Sequence, residues 1–184
     1  TEVYAANDYK EGNWDGTKLT FTKKTATSVT AVASSDADVT WSAGWYTVSG
    51  NVTITGKVTL TDDTHLILQD GATLTINGYL DCFTNSKDLY IYGQKKGDGK
   101  LNVTSNSATA IFSINHIDIH GGEVTASAAV VDSYGLYTGY LAVYGGKLTA
   151  TSDGGNGIGF INTIDVYGGE VVATSNATSS IWKF

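Results

Sequence analysis

Between Leu89 and Ser175 the apolar and polar positions alternate with a period of two. Leu89, Ile91, Leu101 and Val103 form one set, and Tyr90, Tyr92, Asn102 and Thr104 form the other. That is the side-chain rhythm of strands with one buried face, and no window carries a 3.6-residue period with a capped end. The bursts are short, are broken at glycines, and repeat. Leu89–Ser105, Ile117–Ser127, Leu141–Ser152 and Ile164–Ser175 align, with a corner glycine at Gly99, Gly122, Gly146 and Gly169, spaced 23, 24 and 23 residues apart. A looser copy, His65–Ile76, precedes them.

Each copy reads as an apolar–polar strand, a glycine corner, a second strand ending in Ser or Thr-Ser, a polar turn, and a third strand. The third strands are Ala110–Ile114, Gly135–Thr138, Gly157–Ile161 and Ser180–Phe184, with turns expected at Asn115, Gly139 and Asn162. Three strands in each repeat of this length predict an all-β fold, a single-stranded parallel β-helix. Its coils would stack about 4.8 Å apart. Residues 46–184 would hold about six coils by this repeat arithmetic. Residues 1–45 would form an N-terminal cap with Trp14, Trp41 and Trp45 in its core, all within one structural domain.

Stacking predicts columns. Leu89/Ile117/Leu141/Ile164, Ile91/Ile119/Val143/Val166 and Leu101/Val124/Leu148/Val171 would point inward. Lys100/Glu123/Lys147/Glu170 would point outward with alternating sign. Opposite charges stacked on neighbouring strands stabilise a sheet and like charges do not, so the charges support the register independently of the aliphatics.

Composition narrows the function. Charged residues make up 16% of the chain, the net charge is −7, and the basic residues are all Lys. Without arginine or a basic stripe, nucleic acid is excluded as a partner. No run approaches the length that inserts into a membrane. A single cysteine leaves no disulfide framework and no Cys-based zinc site, and Cys82 in Tyr79–Phe83 reads as a small buried hydrophobe. Asp62–His65 and Asp153–Gly159 have some metal-loop character, but the second lacks the carboxylate such a loop needs, and no metal or cofactor is expected. The sequons at Asn51, Asn102 and Asn176 are expected by chance in so Thr- and Asn-rich a chain. A start at Thr1 without a signal pattern reads as a mature or excised segment, and the low charge points to a secreted or cell-surface protein.

The run Trp41–Ile54, followed by Leu66–Gly78, resembles a family of large secreted proteins of gut Firmicutes and related bacteria. Their chains carry Trp-Tyr-x-Val-x-Gly-x-Val-Thr-Ile, then Leu-Ile-Leu-x-Asp-Gly-x-x-Leu-Thr, then repeats ending in Gly-Gly-x-Val-Thr-Ala. The resemblance covers residues 39–175, and departs from the pattern where Phe112–Ile114 and Leu136–Thr138 replace glycine-rich turns. It implies a right-handed β-helix surface protein, adhesin-like or carbohydrate-binding, with no catalytic motif to carry over.

Within that frame the expected contact site is an outward aromatic stripe, Tyr92/His120/Tyr144/Tyr167, with Asp118 and Asp165 beside it. Aromatic faces stack on sugar C–H surfaces and carboxylates accept hydroxyl hydrogen bonds. The expected partner is a polysaccharide or a host or bacterial surface glycan. No catalytic residue is expected. The alternatives are a polysaccharide lyase or hydrolase on the same fold, or a purely structural rod. Hydrolysis needs two carboxylates across one bond, and Asp118 and Asp165 would stand about 10 Å apart, two coils along one column. The chain closes on an apolar strand, Ile181–Phe184, so end-to-end or edge self-association through an uncapped last coil is also expected.

Overall fold

In the computed structural model, which describes residues 2–177 and 179–184, every regular element is a strand. Thr1, and Thr178 of the Asn176 sequon, lie outside the described residues. The repeat winds into a parallel β-solenoid. Six parallel strands form one face: Asn51–Ile54, Thr73–Ile76, Lys100–Ser105, Glu123–Val131, Lys147–Gly154 and Glu170–Ser175. Each belongs to one coil, which gives six coils.

A second face runs through Trp45–Val48, Thr64–Leu68, Leu89–Gly93 and His116–Ile119 into the later parts of Leu136–Val143 and Ile158–Val166. The third runs from Val39–Trp41 through Val58–Leu60, Leu80–Asp81 and Ile111–Phe112 to the earlier parts of those same two long strands, then to Ile181–Lys183. Gly139 and Asn162 are therefore not loops. They lie inside continuous strands that carry the chain from the third face to the second, with a register shift between Thr138 and Tyr140.

The inward columns match the sequence pattern residue for residue. Leu66, Leu74, Leu80, Leu89, Leu101 and Ile111 are fully buried in one continuous core that also takes Cys82. Each such aliphatic contributes about 1.5–3 kcal/mol by leaving water. Burial also pushes the Cys82 thiol well above its ordinary range, so it stays protonated. The core thins in the last coil, where Ile164 and Val171 are half-buried and Val166 is 50% exposed.

The outward charge column is present, with Lys100–Glu123 at 3.4 Å and Lys147–Glu170 at 3.2 Å. Both pairs are well exposed, so each is worth a fraction of a kcal/mol. Lys147→Glu would put three consecutive glutamates in the column. It is expected to lower stability by about 1 kcal/mol or less at low salt, with most of that loss screened away at high salt. Denaturation at two ionic strengths measures it, and an equal loss in both would show that the column charges do not interact.

The N-terminal segment divides in two. Thr30–Ala31 and Val39–Trp41 pair with the first coil, and Val32 and Trp41 complete its core. Strands β1 (Asp8–Trp14) and β2 (Leu19–Thr25) form an antiparallel hairpin. Its turn is closed by the Asp15 carboxylate, which accepts the N–H groups of Thr17 and Lys18. The hairpin lies along the flank of the second face rather than over the end of the core. Phe21 packs on Gly145 and Leu19 on Gly168, where paired corner glycines leave the backbone bare. Of the three tryptophans expected in a cap, only Trp41 is core. Trp14 and Trp45 sit on the outer surface of the second face.

Candidate glycan-contact face

On the second face the odd-numbered positions of Leu89–Gly93 and their equivalents point inward, so the even ones point outward. Two outward columns follow from the register. The first is Trp45/His65/Tyr90/Asp118/Ala142/Asp165. The second is the predicted stripe: Tyr92 stacks on His120 at 4.9 Å and His120 on Tyr144 at 4.5 Å, while Tyr144 meets Tyr167 at 5.1 Å with a 31° tilt.

The hairpin occupies that stripe. Tyr9 packs on Tyr92 at 4.5 Å and Trp14 stacks on Tyr167 at 5.4 Å. The Gly12 N–H donates to His120 Nδ1 at 3.1 Å. A Cβ on Gly12 would lie 2.5 Å from Tyr144 Cβ, so only glycine lets β1 come this close. Tyr92 is 2% exposed and His120 7%, while Tyr144 and Tyr167 are half-buried. The expectation of a glycan platform on Tyr92 and His120 is corrected on this point, because their rings seat the hairpin. Nothing in the repeat could place residues 8–25, which carry no copy of it.

The neighbouring column stays partly open. Trp45 stacks on His65 at 4.1 Å and His65 on Tyr90 at 4.5 Å, both nearly parallel. His65 Nδ1 shares a 3.0 Å hydrogen bond with the Tyr92 hydroxyl, which ties the column to the stripe. The Tyr90 hydroxyl donates to Asp88 Oδ2, and Asp88 Oδ1 accepts the His116 N–H. His116 in turn stacks on Tyr140 at 4.5 Å. The sequence signal for this row was the strand position two residues before each stripe residue.

Beyond Tyr90 the column changes from aromatic to acidic. Asp118 and Asp165 stand on the coils either side of Ala142, whose methyl leaves a gap between them. Tyr140 and Tyr144 flank Ala142 on its own strand. One face of Tyr140 lies on His116; its other neighbour in the column is Thr163, which is too small to cover the remaining face. Asp165 is exposed and accepts the Thr163 hydroxyl.

Asp118 is more deeply placed, and its Oδ1 has no hydrogen-bond partner among the described residues. Burial, helped by nearby Asp88 and opposed by His116, pushes its carboxyl up to about 6. Burial also pulls His120 down to about 4 and lowers His65. Burial and then Asp88 push Tyr90 up to about 12. The low point over Ala142, the hollow, thus lies between two carboxylates of one column and beside an aromatic ring with one free face. One of those carboxylates holds a shielded acceptor with no donor. No protein-family model matches the chain, no curated protein matches its sequence, and no solved structure matches its fold.

Proposed function

We propose that the protein is a non-catalytic, adhesin-like module of a secreted or cell-surface bacterial protein, and that it contacts polysaccharide or surface glycan over the Ala142 hollow. The sequence resemblance to secreted β-helix surface proteins of gut bacteria supports the setting. The observation that carries the site is Asp118 Oδ1, a shielded acceptor lacking a donor beside an open tyrosine face. Buried polar atoms are nearly always satisfied, and an orphan calls for an explanation. A turn of the Asp118 side chain brings this enclosed oxygen out to a sugar hydroxyl, which supplies the missing donor, while the pyranose C–H face lies on Tyr140. Asp165 takes a second hydroxyl from the coil beyond. Coil repeats along the axis suit a linear chain of sugar units.

A glycan array with soluble-polysaccharide titrations tests this. Asp118→Asn replaces an acceptor oxygen by a donor, and Tyr140→Ala removes the free ring face. Each is expected to weaken binding at least tenfold, about 1.4 kcal/mol or more. Binding that survives both substitutions unchanged would sink the reading. Hydrolysis on the same hollow is the second reading, favoured by the raised Asp118 carboxyl, which suits a general acid. Asp165, two strand spacings or about 10 Å away, lies beyond the ~6.5–9.5 Å span that holds a nucleophilic water. No new reducing ends should therefore appear when bound polysaccharide is incubated with the protein.

A further inference from the structure

A second aromatic group lies on the third face, away from the hairpin. Its outward column runs Phe112, Tyr137, Gly159, Trp182. The glycine breaks the row, and Tyr134 folds into the space it leaves: a Cβ at Gly159 would sit 2.6 Å from the Tyr134 ring. Phe184 meets Tyr134 and Tyr137 at steep angles, 69° and 60°, so its faces are not spent on a parallel stack. Trp182 is 50% exposed and Phe184 60%, and among the described residues Trp182 stacks on no other ring.

Tyr134, Trp182 and Phe184 wall a cavity of about 270 Å³ with a polar floor. The space is open to solvent and holds several waters' worth of room against the rings, enough for a small ligand to enter. The floor is backbone at Gly154 and Gly155, where side chains are excluded: a Cβ at Gly155 would fall 2.0 Å from the Ser133 carbonyl. Asn156 is buried beside it, with its amide donating to the Ser179 carbonyl. Asp132 lines the rim on a positive φ of 57°, a region that Asp and Asn adopt more readily than other side-chain-bearing residues. No hydrogen bond or ion pair occupies its carboxylate among the described residues.

We propose that this cavity is a second, independent glycan subsite that takes one neutral pyranose, stacked on Trp182 and hydroxyl-bonded to Asp132. Aromatic faces beside a few convergent polar groups are the usual make-up of a small-ligand site. The lining holds one carboxylate and no cation, so it disfavours uronic or sulfated sugars. The polar floor distinguishes it from an aromatic cage for a quaternary ammonium, which has no use for hydroxyl partners. The proposal shares with the Ala142 hollow the reading of the protein as carbohydrate-binding, but none of its residues.

The test is an NMR titration of the ¹⁵N-labelled protein with methyl β-glucoside, methyl β-galactoside and methyl α-mannoside, and with choline beside them. Trp182→Phe assigns the Trp182 indole N–H. At least one glycoside is expected to shift that signal while those of Trp14, Trp41 and Trp45 stay put. Asp132→Asn, which keeps a residue tolerant of positive φ, is expected to weaken the effect at least fivefold. Tyr140→Ala should leave it unchanged, which separates this subsite from the hollow. If none of the three glycosides moves the Trp182 signal, or if only choline does, the proposal is overturned. It also falls if Asp132→Asn binds as the native protein does. Loss of polysaccharide binding in Asp118→Asn with a silent Trp182 would leave the hollow standing and remove the subsite alone.

Discussion

Gly146→Ala is expected to cost the fold about 3 kcal/mol or more, beyond what a surface turn glycine normally contributes. Two effects combine. Gly146 holds φ at +78°, where a side chain costs about 1–2 kcal/mol. Its added Cβ would also fall 2.2 Å from the Gly122 carbonyl oxygen, below any tolerable contact. The obstacle is backbone of the preceding coil's corner. That corner cannot give way without shifting the strand after it, Glu123–Val131, which pairs with Lys147–Gly154. The same arrangement continues upward, since a Cβ on Gly169 would lie 2.5 Å from the Gly146 oxygen.

Gly50→Ala is the control. Gly50 has φ +63° but no atom within 4 Å of an added Cβ, so it should lose only the conformational part, about 1–2 kcal/mol. Urea denaturation of the two variants separates strain from stacking. Equal losses would mean that the corners are not packed against one another, and that the glycine repeat serves turn geometry alone.

That repeat is also why so much of the fold could be read from the chain. A solenoid contacts only its neighbouring coils, so a period in sequence becomes a column in space. Once Gly122, Gly146 and Gly169 were aligned, Leu101/Val124/Leu148/Val171 and Lys100/Glu123/Lys147/Glu170 followed, and both stand as aligned. The turn reading at Gly139 and Asn162 failed because glycine and asparagine signal a change of direction, not a break in pairing. Here the strand bends, and its ladder skips Gly139, Ile161 and Asn162 and resumes in a shifted register.

The site was legible only in its columns. The spacing placed Asp118, Ala142 and Asp165 in one row and stacked Tyr92 on His120. Which column stays open depended on a hairpin with no repeat of its own. Its docking rests on Gly12 meeting Tyr144 and on Tyr9 meeting Tyr92, contacts between residues with no periodic relation. Burial inverted the expectation: the most aromatic stripe became an internal seam, and the row beside it became the surface. The third-face cavity was illegible for a related reason. One of its walls, Tyr134, takes the place that a side chain at Gly159 would fill, an exception to the column rule.

Asp118→Asn should make the protein more stable at neutral pH while weakening its hold on glycan. The native carboxyl titrates at about 6 against an ordinary 3.8, first because it is buried. A raised folded value means that this group's favourable contribution is complete below pH 3.8 and is lost as pH rises through 6. By linkage the ionised form costs about 3 kcal/mol at pH 7, reduced to about 2 for partial solvent access. The neutral amide avoids that cost. The variant's advantage should be about 2 kcal/mol at pH 7, shrink between pH 6 and 4, and vanish below.

His120 works in the opposite sense over the same window. Held neutral by burial, with a folded value near 4 against 6.5, it contributes stability above pH 6.5 that is lost as pH falls toward 4. The linked loss is about 3 kcal/mol. Protonation puts a hydrogen on Nδ1, which then cannot accept the Gly12 N–H, and so loosens the hairpin's seat. In the native protein Asp118 masks much of this acid loss, and in Asp118→Asn it should emerge undiluted. Denaturation curves of the two proteins from pH 4 to 7 give the difference directly. A pH-independent difference would show that Asp118 is as well solvated folded as unfolded. In that case its orphan oxygen is no evidence for a ligand, whereas a gain in stability paired with lost binding is the mark of a carboxylate kept ionised in an unfavourable place for what it binds.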